Sequence, residues 1–203
     1  MMRVLVFGDS FAADWSYKYC DHYKGWSNML KENVAVTNLA QAGVSEYKIY
    51  KQLESVKWLD SYDAFIVSHT SPYRVPTRKH PVHNNDLLHH DADLIMSDID
   101  YHSSRLKNLF NFSLRSASSF FKHHYDQEYF ETTYRLYRKA INDRLSGKKV
   151  ITLNFFKDMN DYLEPNAVDL SSMLPEHSGL INHMSFEGNL LVCEKVLGIL
   201  ESQ

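Results

Sequence analysis

The chain has 203 residues, with 22 Lys and Arg against 25 Asp and Glu, and a net charge of -3 with neutral histidines. That length favours a single domain over residues 1–203 with a sizeable core, and the charge balance gives no electrostatic case for nucleic acid or an anionic membrane as a partner. No apolar run approaches the ~20 residues of a membrane span or serves as a signal peptide, and Cys20 and Cys193 form no motif, so both are read as reduced, buried side chains of a cytoplasmic protein.

In chain order, Val4-Leu5-Val6-Phe7 is a short apolar run that stops at Gly8-Asp9-Ser10, which predicts a buried strand over 3–8 ending in a tight turn. Residues 15–32 are partly helical, with Trp26, Met29 and Leu30 on one face and Gly25 as interruption or start. Val34-Ala35-Val36 is a short second strand, followed by the loop Asn38-Leu39-Ala40-Gln41-Ala42-Gly43. Ser45 is placed to cap a helix carrying Ile49, Leu53 and Val56 at helical spacing. Ala64-Phe65-Ile66-Val67 is the third strand, ending in the polar turn His69-Thr70-Ser71-Pro72.

Residues 73–124 interrupt the alternation as a long polar insertion. Leu106, Leu109, Phe110, Leu114, Ala117 and Phe121 keep a helical period within it, so it is partly helical and folded. A helix follows over 125–145 with Tyr129, Phe130, Thr133, Leu136, Tyr137, Ala140 and Ile141 on one side. Val150-Ile151-Thr152-Leu153 is the fourth strand, and residues 160–182 contain no strong fifth. Ser185 caps a last helix whose Leu190, Cys193, Leu197 and Leu200 face the core. Alternating strands and helices predict an α/β fold with a parallel sheet covered on both faces.

In such a sheet, ligands bind beyond the carboxyl ends of the strands. Ser10 stands there as a candidate nucleophile, which needs a base within hydrogen-bond reach; the plain alternative is an ordinary strand-end turn. His183, just before the last helix, is the candidate base, although a lone histidine is more often structural. Gly43 is a candidate backbone donor to an oxyanion, against a simple loop glycine. His80, His83, His89 and His90 with Asp86, Asp91 and Asp93 are of zinc-ligand type but show no recognised spacing, and read as a solvated loop. The insertion's aromatics, Tyr73, Tyr101, Phe110, Phe112, Phe120, Phe121 and Tyr125, are explained better by helical packing than as a roof over a cleft.

Three blocks in order, Gly8-Asp9-Ser10, the Gly43 loop and Asn182-His183-Met184-Ser185, resemble the SGNH/GDSL hydrolase family of serine esterases and lipases. The resemblance implies a three-layer α/β/α sandwich with a mostly parallel, flavodoxin-like sheet. It implies hydrolysis of a short-chain acyl ester, such as O-acetyl on a carbohydrate or other small molecule, with Ser10 as nucleophile and His183 as base. Ser10 and Gly43, with Ser71 or Thr70, would form the oxyanion hole. No metal or organic cofactor is implied.

Two departures stand out. The family's third block, Gly-x-Asn-Asp, is replaced by His69-Thr70-Ser71-Pro72, and the family's Asp three residues before the histidine is Leu180 here. Glu176 and Asp169 are the nearby carboxylates, with Glu176 or a backbone carbonyl as the group to orient His183. The alternative function is a catalytically weak or inactive binding protein of the same fold, recognising a glycan or a protein partner.

Overall fold

The computed structural model describes all residues except 16–23, 84–88, 106, 107, 109, 158–161, 163, 165, 180–182 and 203. Five strands, β1 (Arg3–Gly8), β2 (Ala35–Asn38), β3 (Ala64–Ser68), β4 (Val150–Asn154) and β5 (Val168–Asp169), form one parallel sheet in the order β2-β1-β3-β4-β5. The helices among the described residues are α1 (Trp26–Leu30), α2 (Glu46–Glu54), α3 (Met96–Ser103), α4 (Phe112–His123), α5 (Gln127–Arg144), α6 (Met173–Glu176) and α7 (Phe186–Glu201). Among these residues, no helix is long and apolar enough to cross a membrane.

The continuous apolar runs of β1 and β3 follow from burial on both faces. Val4, Val6, Ile66 and Leu153 pack on one side with Trp26 and Leu30 of α1 and Val192 and Val196 of α7. Leu5, Phe7, Phe65 and Val67 alternate to the other side, against Ile49 and Leu53 of α2 and Ile141 of α5. The result is three layers, α/β/α, in flavodoxin-like strand order. The order reverses at β1 and β3, so a crevice opens beyond their carboxyl ends.

Several local expectations shift. The second strand falls over Ala35–Asn38, not 34–36, and a fifth strand exists as two residues, Val168–Asp169, too short to carry a period-two signal. Gly25 occupies the N-cap position of α1, while Cys20 and much of the helical reading over 15–32 lie outside the described residues. Ser45 sits at the N-cap of α2 but makes no side-chain cap bond; Ser185 does cap α7, accepting from the Gly188 N–H. On α5 the buried residues are Tyr134, Arg138 and Ile141, whereas Tyr129 and Leu136 are exposed. On α7, Leu190 is exposed and Val192 and Val196 take its place in the core beside Cys193 and Leu200.

The 73–124 segment carries α3 and α4 and a core of its own, in which Val75 and Ile99 pack with Leu114, Ala117 and Phe121. Phe120 and Tyr125 pack against this cluster, while Phe110 and Phe112 are exposed; Leu106 and Leu109 lie outside the described residues. The segment is pinned to the loop after β2 by Asp93. Its N–H donates to Gly43 O, and its carboxylate accepts from the Ser45 and Thr77 N–H groups and pairs with Lys48. The insertion therefore sits at the carboxyl end of the sheet, beside the crevice.

Candidate active site

The turn after β1 is braced from every side. Gly8 has φ +155, and a Cβ there would lie 2.5 Å from Ser68 O, so the close approach of β1 and β3 requires glycine. Gln52 clamps the same residue, accepting from the Gly8 N–H and donating to its carbonyl. Asp9 is fully buried; its carboxylate accepts from the Phe11 N–H at 3.0 Å, and its carbonyl accepts from the Ala12 and Ala13 N–H groups. Two buried indoles complete the brace. Trp15 Nε1–H donates to Ser10 O at 2.7 Å and Trp26 Nε1–H to Phe11 O at 2.6 Å, as buried tryptophans require a partner. Asn38 Nδ2 holds the Ala12 carbonyl.

This bracing leaves particular groups open. Among the described residues, the backbone N–H groups of Ser10 and Gly43 donate to no acceptor, and Ser10 Oγ makes no hydrogen bond. Gly43 holds φ +78, with its carbonyl taken by the Asp93 N–H and Arg74, and Ala92 Cβ stands 3.0 Å from where a Cβ would be. Thr70 is committed elsewhere, since its Oγ1 accepts from Arg74 Nε at 3.0 Å, while Asp9 Oδ2 is buried without a hydrogen-bond partner. Ser71 is buried and its Oγ accepts from the Tyr73 N–H. Burial pushes the Asp9 carboxyl up to about 6, opposed by the Arg74 charge and the Phe11 N–H. Arg74 thus ties together the β1 turn, the Gly43 loop and the turn after β3, a role that its place in a polar insertion did not suggest.

His183 comes to the same crevice through ring contacts. Its imidazole lies 4.5 Å from the Trp15 ring and 5.4 Å from the Phe11 ring, both neighbours of Ser10 along the chain. Its loop returns on itself, with Gly179 N–H donating to His183 O and Ser185 N–H to His177 O. Gly179 is required there, since a Cβ would meet Met184 O at 2.5 Å. Leu180 and Asn182 lie outside the described residues. Glu176 is exposed at the end of α6, and its side chain makes no hydrogen bond or ion pair with a described residue; it is not brought to His183. Asp169 accepts from the Ser171 N–H on β5.

The turn after β3, His69-Thr70-Ser71-Pro72, serves a buried polar network. His69 Nδ1 lies 2.6 Å from Glu46 Oε1, and both side chains are buried. Close by, Arg138 of α5 bonds Tyr134 and forms a two-pronged pair with Glu164, which also accepts from Asn142. Arg138 and Tyr134 face inward on α5 because these acceptors and donors await them.

The strand order and the two helical layers define a three-layer α/β/α fold, with the serine turn at its switch point. Comparison with solved structures agrees. The chain is similar to a lipase/acylhydrolase from Enterococcus faecalis, with a TM-score of 0.50 and 14% identity, covering 99% of this chain and 95% of that one. It is also similar to the acetyl xylan esterase AlAXEase, with a TM-score of 0.50 and 12% identity, covering 97% of this chain and 98% of that one. No family model and no curated protein sequence matches the chain.

Proposed function

We propose that the chain is a serine ester hydrolase acting on a short acyl group, with acetyl on a carbohydrate or other small molecule as the substrate class. The observation that carries this reading is the pair of open N–H groups, Ser10 and Gly43, at strand ends where the neighbouring Thr70 hydroxyl is already engaged by Arg74. Two fixed donors beside an unbonded serine hydroxyl suit an oxyanion hole. The two similar structures, a lipase/acylhydrolase and an acetyl xylan esterase, support the same reaction class.

In this mechanism Ser10 Oγ attacks the acyl carbon while His183 accepts its proton. The negative charge develops on the carbonyl oxygen, held by the Ser10 and Gly43 N–H groups. Collapse expels the alcohol, which takes the proton from His183, and water then hydrolyses the acyl-serine with His183 again as base. Ser71 is the remaining side-chain candidate at the hole, since the Thr70 hydroxyl is held by Arg74. Residues 1–203 form one domain in this reading, with 73–124 as an insertion that walls the crevice and selects the substrate.

A second reading, a binding protein of this fold with little turnover, is favoured by one observation: Ser10 Oγ makes no hydrogen bond to His183, and Glu176 does not reach the imidazole. Apo sites often tighten only around substrate. Turnover of short p-nitrophenyl esters and acetylated sugars, with Ser10→Ala as control, separates the two. Turnover lost in the variant supports hydrolysis, and none in the wild type supports binding alone.

A further inference from the structure

Four side chains of the insertion converge on one another away from the serine turn. Asp98 and His102 stand at i and i+4 on α3, so they share a helix face. His80 and His83 come from the loop before it. His83 Nε2 lies 3.3 Å and His102 Nε2 3.4 Å from Asp98 Oδ1, and His80 Nε2 lies 3.3 Å from Oδ2. Donor atoms of His80, His83 and Asp98 all fall within 4.8 Å of one another, and His102 joins this group through Asp98 Oδ1. His80 and Asp93 are buried, so the solvated-loop reading fails there, whereas His90 and Asp91 are exposed as it expects and Asp86 lies outside the described residues. The carboxylate that His80, His83 and His102 share, Asp98, was also absent from the set expected from the sequence.

The distances discriminate between two uses of this cluster. Charge-assisted N–H···O bonds shorten to ~2.7–2.9 Å, and 3.3–3.4 Å is long for them. A tetrahedral zinc site with bonds of ~2.0–2.1 Å places neighbouring ligand atoms about 3.4 Å apart. The His83 and His102 rings lie 5.2 Å apart at 76°, so they reach Asp98 from two directions without stacking.

His80 has a different part. Its Nδ1 accepts the backbone N–H groups of Val82 and His83 at 3.2 and 3.0 Å, which puts its own proton on Nε2, toward Asp98. That tautomer cannot ligate through Nε2; its proton faces the second carboxylate oxygen, 3.3 Å away and without a hydrogen-bond partner, and a bound ion would draw the two together as outer partners of metal-binding carboxylates are drawn. His83 and Asp98 are partly exposed, which leaves an entry path and room for water.

We propose that His83, Asp98 and His102 bind a divalent transition-metal ion of the zinc type, with His80 orienting the carboxylate and water completing the coordination. Two imidazoles and one carboxylate suit zinc and disfavour magnesium or calcium, which prefer oxygen ligands. The ion clips the 80–83 loop to α3. The clip flanks the crevice, because the His83 ring contacts His89, which contacts Trp15.

The test uses the full chain without a histidine tag, stripped with EDTA and titrated with zinc chloride by calorimetry. One zinc per chain is expected, with a rise in thermal midpoint. Asp98→Asn and His102→Gln should each abolish the tight phase, and His80→Gln should weaken it ~10–100-fold. His90→Gln, an exposed histidine outside the cluster, should bind zinc like the wild type. Should Asp98→Asn fail to fold, His102→Gln and His83→Gln carry the same comparison. Cobalt loading supplies a second readout: d–d bands should appear in the wild type and be lost in His83→Gln. No stoichiometric binding, or zinc affinity unchanged in both His83→Gln and His102→Gln, overturns the proposal.

Discussion

The two halves of the candidate site are built differently. The serine turn is held by Gln52, Trp15, Trp26 and Asn38, with glycine enforced by the contact of β1 with β3. The His183 loop is a short return from α6 to α7, positioned by ring contacts with Phe11 and Trp15 and by backbone bonds at its base. A hydrogen-bonded brace fixes atoms to within tenths of an ångström, and the ring contacts seat the imidazole against Phe11 and Trp15. On the proposed reading, the serine turn is the preorganised half, and the histidine half is the one that mutation must test.

The sharpest way to break this comparison is a pair of truncations. Ser10→Ala should lower ester turnover at least ~10³-fold, and His183→Ala ~10²–10³-fold, because general-base catalysis contributes on that scale. The double variant should be no slower than Ser10→Ala alone, since the two residues act as a unit; steady-state rates on one ester decide this. Full activity in His183→Ala would place the base elsewhere.

Gly43→Ala tests the preorganised half from the opposite loop. Its φ of +78 and the neighbouring Ala92 both resist a methyl group. Turnover should fall ~10²–10³-fold through displacement of one oxyanion donor, with KM changed little. A loss confined to KM would argue for a binding role of the loop.

Asp9 gives a pH test of how the serine turn is held. Its folded pKa of about 6 lies above its ordinary value of 3.8, so the folded state binds the extra proton between these limits. The Asp9 contribution is therefore fully present below about pH 4 and is lost as pH rises through 6, a change of up to ~3 kcal/mol. Chemical denaturation from pH 4 to 7 should show Asp9→Asn gaining on the wild type across that window. Parallel curves would mean that Asp9 titrates normally.

Much of the fold was legible because burial on both faces leaves a plain signature. β1, β3 and β4 are continuous apolar runs, and the Ser185 cap announces α7. What escaped was polar burial. Arg138 and Tyr134 look like solvent-facing residues of α5 until Glu164, 26 residues beyond Arg138 in sequence, supplies the partner. The His69–Glu46 pair and the histidines around Asp98 are invisible for the same reason, since their partners are set by tertiary contact and not by local period. Within the site, Ser10, Gly43 and His183 were marked by turn chemistry and by block order, whereas Arg74, Trp15 and Trp26 carry no local signal of their roles as braces. Of the two groups expected to orient His183, Glu176 or a backbone carbonyl, Glu176 is near in sequence alone: it is exposed on α6 and its side chain bonds no described residue. Glu176→Gln should accordingly leave turnover within about twofold of wild type, the smallest effect in the series; a large fall would return a carboxylate to the base.

The central claim is that Ser10 is a nucleophile set beside a preformed oxyanion hole. Intact-mass analysis after treatment with a fluorophosphonate, followed by peptide mapping, tests it most directly. The account predicts a single adduct on Ser10, absent in Ser10→Ala and slowed in Gly43→Ala. An unlabelled wild-type chain, or an adduct that persists in Ser10→Ala, would contradict it.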